Sequence, residues 1–161
     1  MFLLNVLHHL PDAGAFFLEL ERTLAPGGRV VLIEPYVSPV SRLVYRFGHH
    51  EPFDPAQRDW TLPPGGAMTS ANDALPWIVL CRDRRRFDAS FPGLEVRELR
   101  AHTIALYVLS GGFSYRSLLP AWLFPVVAAA EDLACAVPGS RFLASMMTVV
   151  IVKRPGHGVP G

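Results

Sequence analysis

The sequence predicts an α/β fold, and three features carry that prediction. Residues Met1 to Tyr36 read as a strand, a helix and a second strand. Two further strand-like runs lie downstream, and the last of them, Met146 to Val152, is continuously apolar. Hydrophobic residues make up 50% of the 161-residue chain, a share that suits strands buried in a parallel sheet.

Phe2, Leu3, Leu4, Val6 and Leu7 form an apolar run broken only by Asn5, as expected of a strand buried on both faces. Pro11 and Asp12 end it, and Asp12 is a helix N-cap whose carboxylate can accept from the free amides of the first turn. Phe16, Phe17, Leu20 and Leu24 follow at helical spacing, with Glu19 and Arg22 on the wet side. Pro26, Gly27 and Gly28 stop the helix, glycine supplying the positive φ that a C-terminal cap needs. Val30 to Ile33 is the second strand. A helix joining two parallel strands makes a right-handed crossover, so both strands end at one edge of the sheet. Ligands of such sheets sit beyond that edge. His8 and His9 lie at one strand end, and Glu34, Pro35 and Tyr36 at the other.

Ser38 and Pro39 open a short helix whose apolar face is Val40, Leu43, Val44 and Phe47. Residues 48–70 lack apolar periodicity and are rich in proline and glycine, which predicts an ordered but mobile loop folding over the ligand edge as a lid. A helix is expected from about Asn72 to Phe87, capped by Ser70 or Asp73, with Pro76 near its first turn and Leu75, Ile78 and Val79 on its buried side. Pro92-Gly93 is a turn. Glu95 to Leu109 reads as a strand, Tyr115 to Ala136 as a largely apolar helix, and Met146 to Val152 as the last strand before a glycine-rich tail.

The segment NVLHHLPD, followed by FFLELERTLAPGGRVVLIEP, resembles the fourth strand, following helix and fifth strand of Rossmann-like S-adenosylmethionine-dependent methyltransferases, in particular the type 11 group. In that group a Leu-His strand end, the dipeptide Pro-Asp, a helix and a Pro-Gly-Gly turn recur in this order. The stretches ANDALPWIVLCRDRRRF and TVVIVKR resemble the later part of such enzymes, so the resemblance covers the whole chain. It implies the carboxyl-terminal half of a Rossmann-like methyltransferase sheet. Two parallel strands would be followed by a third strand and a final antiparallel strand inserted between the two before it, with flanking helices. Residues 1–154 would form this partial domain: 1–36 the strand-helix-strand core, 37–70 the lid or acceptor insertion, 71–154 the remaining helices and strands. Residues 155–161 would be a tail.

The family's glycine-rich turn after its first strand, and the acidic residue after its second, have no counterpart here. Gly27-Gly28 and Gly111-Gly112 do not open a strand-turn-helix with a third glycine. A truncated methyltransferase whose main cofactor-binding half lies upstream is therefore expected, and it could pair with that missing amino-terminal half.

Composition excludes some partners. The net charge of +1 provides no field for nucleic acid or an anionic membrane. Lys153 is the one lysine among fifteen basic residues, a bias that points to a GC-rich bacterial genome rather than phosphate recognition. Cys81 and Cys135 share no metal or redox spacing, which fits reduced thiols in the cytoplasm. Trp122 to Val137 is interrupted by Pro125, Glu131 and Asp132 and is shorter than the roughly 20 residues that cross a bilayer. No integral membrane segment and no signal peptide are expected.

Asn5, His8 and His9 are candidate cofactor-binding residues, and the resemblance puts His9 at the family position beside the cofactor's methionine part. Strand alternation lets only one histidine of the pair face the ligand edge; a bland role for it is a tie to Asp12. His49 or His50 is a candidate general base, because an imidazole near its native pKa can take a proton from a hydroxyl or amine. Loop anchoring is the commoner role for such residues. Glu34, Tyr36 and Trp60 are candidate substrate-binding residues. A metal is not expected from His8, His9, His49, His50, Glu51 and Asp54, since adjacent histidines in a loop seldom share an ion and no His-x-x-x-His spacing occurs. Arg82, Arg84, Arg85 and Arg86 read as a solvated helix end that complements the macrodipole. The expected activity is methyl transfer from S-adenosylmethionine to a small-molecule or lipid-linked acceptor. The alternatives are a non-catalytic half that pairs with another chain and, more weakly, a metal-dependent hydrolase.

Overall fold

The computed structural model describes residues 1–48, 51–63, 70–103, 106–110 and 116–156. Among them the elements run β1 (Phe2–Leu4), a 3-10 turn (Leu7–His9), α1 (Ala13–Thr23), β2 (Arg29–Pro35), α2 (Pro39–Gly48) and α3 (Leu75–Trp77). A π-helical turn (Ile78–Arg82) follows, then α4 (Arg84–Ser90), β3 (Leu94–His102), α5 (Leu106–Leu109), α6 (Phe124–Cys135) and β4 (Met146–Lys153). The protein is α/β with one four-stranded mixed sheet in the order β1-β2-β4-β3. β1 and β2 are parallel, and β4 is antiparallel to both β2 and β3, lying between them as expected.

Local chemistry explains the first crossover. Asp12 caps α1, its Oδ1 accepting from Ala15 N at 2.9 Å. Replacing Asp12 by Ala should cost about 1 kcal/mol, read as a lower urea midpoint; an unchanged midpoint would show that the cap holds nothing. Gly28 follows the helix where no side chain fits, since a Cβ there would lie 2.7 Å from the Ala25 carbonyl oxygen. Gly27, at φ +74°, supplies the left-handed residue.

One face of the sheet carries the core. Val30, Leu32 and Glu34 of β2 pair with Ile151, Val149 and Met147 of β4, and all six side chains are fully buried. Phe17 and Leu20 of α1, Leu75 of α3, Ile78 of the π-helical turn and Phe87 of α4 complete this core. The expectation that the first strand is buried on both faces is corrected: Phe2 and Leu4 are 62% and 53% exposed. They share the opposite face with Val31 and Ile33, and among the described residues β1 has a neighbour on one side only.

Other boundaries also differ from the sequence pattern. The first strand stops at Leu4 because Asn5 takes φ +52°, a left-handed conformation that asparagine tolerates better than most residues. The helix expected over 72–87 is broken by the π-helical turn, closed by Asp83 N donating to Ile78 O at 2.8 Å, and then resumes to Ser90. The arginine run therefore lies where α4 begins, the end of a helix that cations do not complement, contrary to expectation. Arg82 instead pairs with Asp83 at 2.8 Å and Arg84 with Asp88 at 2.9 Å. The strand expected to reach Leu109 ends at His102. β3 contains one extra residue, Arg97, between Val96, which faces Ile151, and Glu98, which faces Val150. α6 buries none of its residues, and Val126 and Leu133 are 60% and 74% exposed. Among the described residues no helix is long and apolar enough to cross a membrane.

Candidate functional site at the carboxyl edge of the parallel strands

The end of β1 sets the site. After Asn5 the chain turns into the 3-10 segment, so His8 and His9 are not on opposite sides of a strand. Their rings lie 4.2 Å apart between centroids, tilted by 42°. His8 is buried and His9 is one-third exposed.

Glu34 organises this edge. Its Oε1 accepts from Val6 N at 2.9 Å and Leu7 N at 2.8 Å, and its Oε2 lies 2.8 Å from His8 Nδ1. A buried carboxylate is tolerated only when its lone pairs are engaged, and these three contacts engage them. On its other side His8 Nε2 lies 3.5 Å from Asp73 Oδ1 and 3.8 Å from Glu51 Oε2. His9 Nε2 lies 3.9 Å from the same Glu51 oxygen. Burial alone would lower the His8 pKa; the Glu34 hydrogen bond and the charges of Glu34, Asp73 and Glu51 outweigh it, and the pKa is raised above the ordinary value.

Two loops deliver the distant carboxylates. Asn72 N donates to His8 O at 3.0 Å, which sets Asp73 beside the histidine. Asp73 N donates to Pro52 O, and Asn72 accepts from Asp54 N and donates to Asp54 O, both at 3.0 Å. These bonds fasten the segment that carries Glu51. Leu62 N to Pro11 O and Ala13 N to Trp60 O fasten the far end of that loop to the start of α1.

Of the residues weighed from the sequence, the structure brings together His8, His9, Glu34 and Glu51, and adds Asp73. Asn5 Oδ1 and His9 Nδ1 are buried without a hydrogen-bond partner among the described residues. Asp12, occupied with its helix, is not tied to the histidines. Tyr36 is half-buried against the core, and burial, with a smaller contribution from Cys81, raises its pKa against the opposing charge of Arg141. Trp60 is committed elsewhere: its Nε1 donates to Asp83 Oδ2 at 3.0 Å, and Arg86 lies 4.2 Å over its ring. His49 and His50, the candidate general bases, fall outside the described residues.

The burial of Glu34 had a sequence signal, since Val30, Leu32 and Glu34 recur at a spacing of two and so share one face of a strand. The approach of Asp73 to His8 had none, because it comes from a loop more than sixty residues away, and Glu51 was marked only by its place in the acidic and histidine-rich segment. Comparison of the chain with protein-family models and with curated proteins finds no match.

Proposed function

We propose that the chain forms the acceptor side, and part of the methionine side, of an S-adenosylmethionine-dependent methyl transfer site. The observation that carries this reading is the sheet order: a parallel crossover whose second strand is flanked by a late antiparallel strand, with polar residues gathered where both parallel strands end. The cofactor supplies a sulfonium-activated methyl group. Asn5 Oδ1 and His9 Nδ1 fit its polar methionine part, being buried acceptors or donors without a partner among the described residues. Glu34 holds the His8 ring in place, and the loop that carries Glu51 excludes water from the edge. Tyr36, which follows β2, would meet the acceptor, whether a small molecule or a lipid-linked one. Such a site has to align a nucleophile and keep water away, and it needs a base only when the nucleophile starts protonated; His49 or His50 is proposed for that role.

Calorimetric titration of S-adenosylmethionine tests the reading. Residues 1–161 alone should bind more weakly than micromolar, because the glycine-rich turn and the acidic ribose ligand have no counterpart in this sequence. A polypeptide that supplies them, fused or added separately, should restore micromolar binding and methyl transfer. Micromolar binding by residues 1–161 alone would overturn the need for a second half. The product of the whole reading frame failing to bind would sink the methyltransferase reading itself.

A further inference from the structure

We infer that His8, His9 and Glu51 form a binding site for a divalent transition-metal ion of the zinc class. His8 Nε2, His9 Nε2 and Glu51 Oε2 are donor atoms of the right kinds, two imidazole nitrogens and a carboxylate oxygen. One donor atom from each of the three residues falls in a group whose members all lie within 4.8 Å of one another.

The objection to adjacent histidines is that two such neighbours seldom reach one ion. The 3-10 turn removes it, because the two rings lie against each other and both Nε2 atoms approach the same Glu51 oxygen, at 3.8 and 3.9 Å. Bonds of about 2.0–2.1 Å to zinc place tetrahedral ligands about 3.4 Å apart, so the two histidine–Glu51 separations need to shorten by roughly half an ångström. Glu51 is a quarter exposed, so its side chain has room to rotate through that distance on its fastened backbone.

The surroundings of His8 match those of a metal ligand. A ligating histidine gives its other ring N–H to a carboxylate or carbonyl, which fixes the tautomer and turns the lone pair to the ion. Glu34 does this for His8: it takes Nδ1–H at 2.8 Å and is itself pinned by two backbone amides. The Nε2 lone pair of neutral His8 is then left on the side where Asp73 Oδ1 and Glu51 Oε2 lie, at 3.5 and 3.8 Å. Three protein ligands leave one position of a tetrahedron open, with Asp73 Oδ1 beside it at 3.5 Å from His8 Nε2. A carboxylate there can hold a water or an acidic group of a ligand by hydrogen bonding. The site does not depend on cofactor binding, and its test is separate.

Zn²⁺ titrated calorimetrically into metal-free protein, with Co²⁺ as a spectroscopic probe, reads the site directly. One equivalent should bind with micromolar or better affinity, and Co²⁺ should show the visible absorption of a four-coordinate ion. Glu51→Gln and His9→Ala alter partly exposed side chains and should leave the fold intact by circular dichroism. Each should weaken Zn²⁺ binding by at least about tenfold. Wild-type affinity in either variant, or no saturable binding below about 100 µM in the parent protein, would overturn the assignment.

Discussion

Replacing Glu34 with Ala should destabilise the protein by about 3–5 kcal/mol. The side chain is fully buried, and its removal strands the amides of Val6 and Leu7 and the Nδ1 of His8 in a place water reaches poorly. Three lost contacts to one carboxylate, each leaving a group unsatisfied, outweigh the small gain from removing a buried charge. Glu34→Gln separates the components. Its carbonyl oxygen can still accept from the two amides, while its NH₂ must face His8, which can respond by moving its proton to Nε2. The expected cost falls to about 1–3 kcal/mol. Urea unfolding of both variants, with unchanged slopes, measures the difference. If Glu34→Ala costs no more than a surface substitution, Glu34 does not hold this edge together.

Phe17→Ala should cost a similar amount, about 3–5 kcal/mol, for a different reason. Phe17 is fully buried and meets Phe87 edge to face, with ring centroids 5.0 Å apart and planes at 89°. It also lies 5.7 Å from Phe91, which is 5.2 Å from Phe87. These rings join α1 to α4, and just beyond α4 the N–H of Gly93 donates to Glu21 Oε1 of α1 at 2.6 Å. Alanine leaves a cavity whose lining cannot collapse while the sheet holds both helices apart. A double-mutant cycle with Phe87→Leu should give a coupling of about 0.5–1.5 kcal/mol. A coupling near zero would mean that the rings fill space without recognising one another's geometry.

The parts of the fold that could be read from the sequence are those set by neighbours in the chain. Asp12 caps α1 and the Gly27-Gly28 turn ends it because the deciding groups lie within a few residues of each other. Ser38 likewise opens α2, its Oγ accepting from Ser41 N while Ser41 Oγ accepts from Ser38 N. The end of β1 was misread because Val6 and Leu7 continue the apolar run, while the backbone of Asn5 has already turned. Leu7 is buried, but from the 3-10 turn and not from a strand. The break within residues 72–90 was hidden for a similar reason, since a π-helical turn shifts the register by one residue without requiring proline or glycine. The site was half legible. His8, His9 and Glu34 stand at strand ends that the crossover rule places together, and Glu51 stands in a histidine- and acid-rich segment, whereas the loop hydrogen bonds that set Glu51 and Asp73 against His8 leave no pattern in the sequence.

The extra residue in β3 governs which codons the strand region can lose. Residues facing each other across a ladder share a face, so Val96, Leu99 and Ala101, opposite Ile151, Val149 and Met147, lie on one face of the sheet. Val96 and Leu99 are three apart and reach the same side only because Arg97 stands outside the pairing. Deleting Arg97 would leave them two apart, in the ordinary phase of a strand, with every later side chain facing as before. β2 has no such slack. Loss of one residue between Val30 and Ile33 would turn Glu34 to the opposite side from Val30, and the amides of Val6 and Leu7 would lose the carboxylate that holds them. Reading-frame-preserving deletions should therefore be accepted at one strand and rejected at the other, although both strands belong to the same sheet.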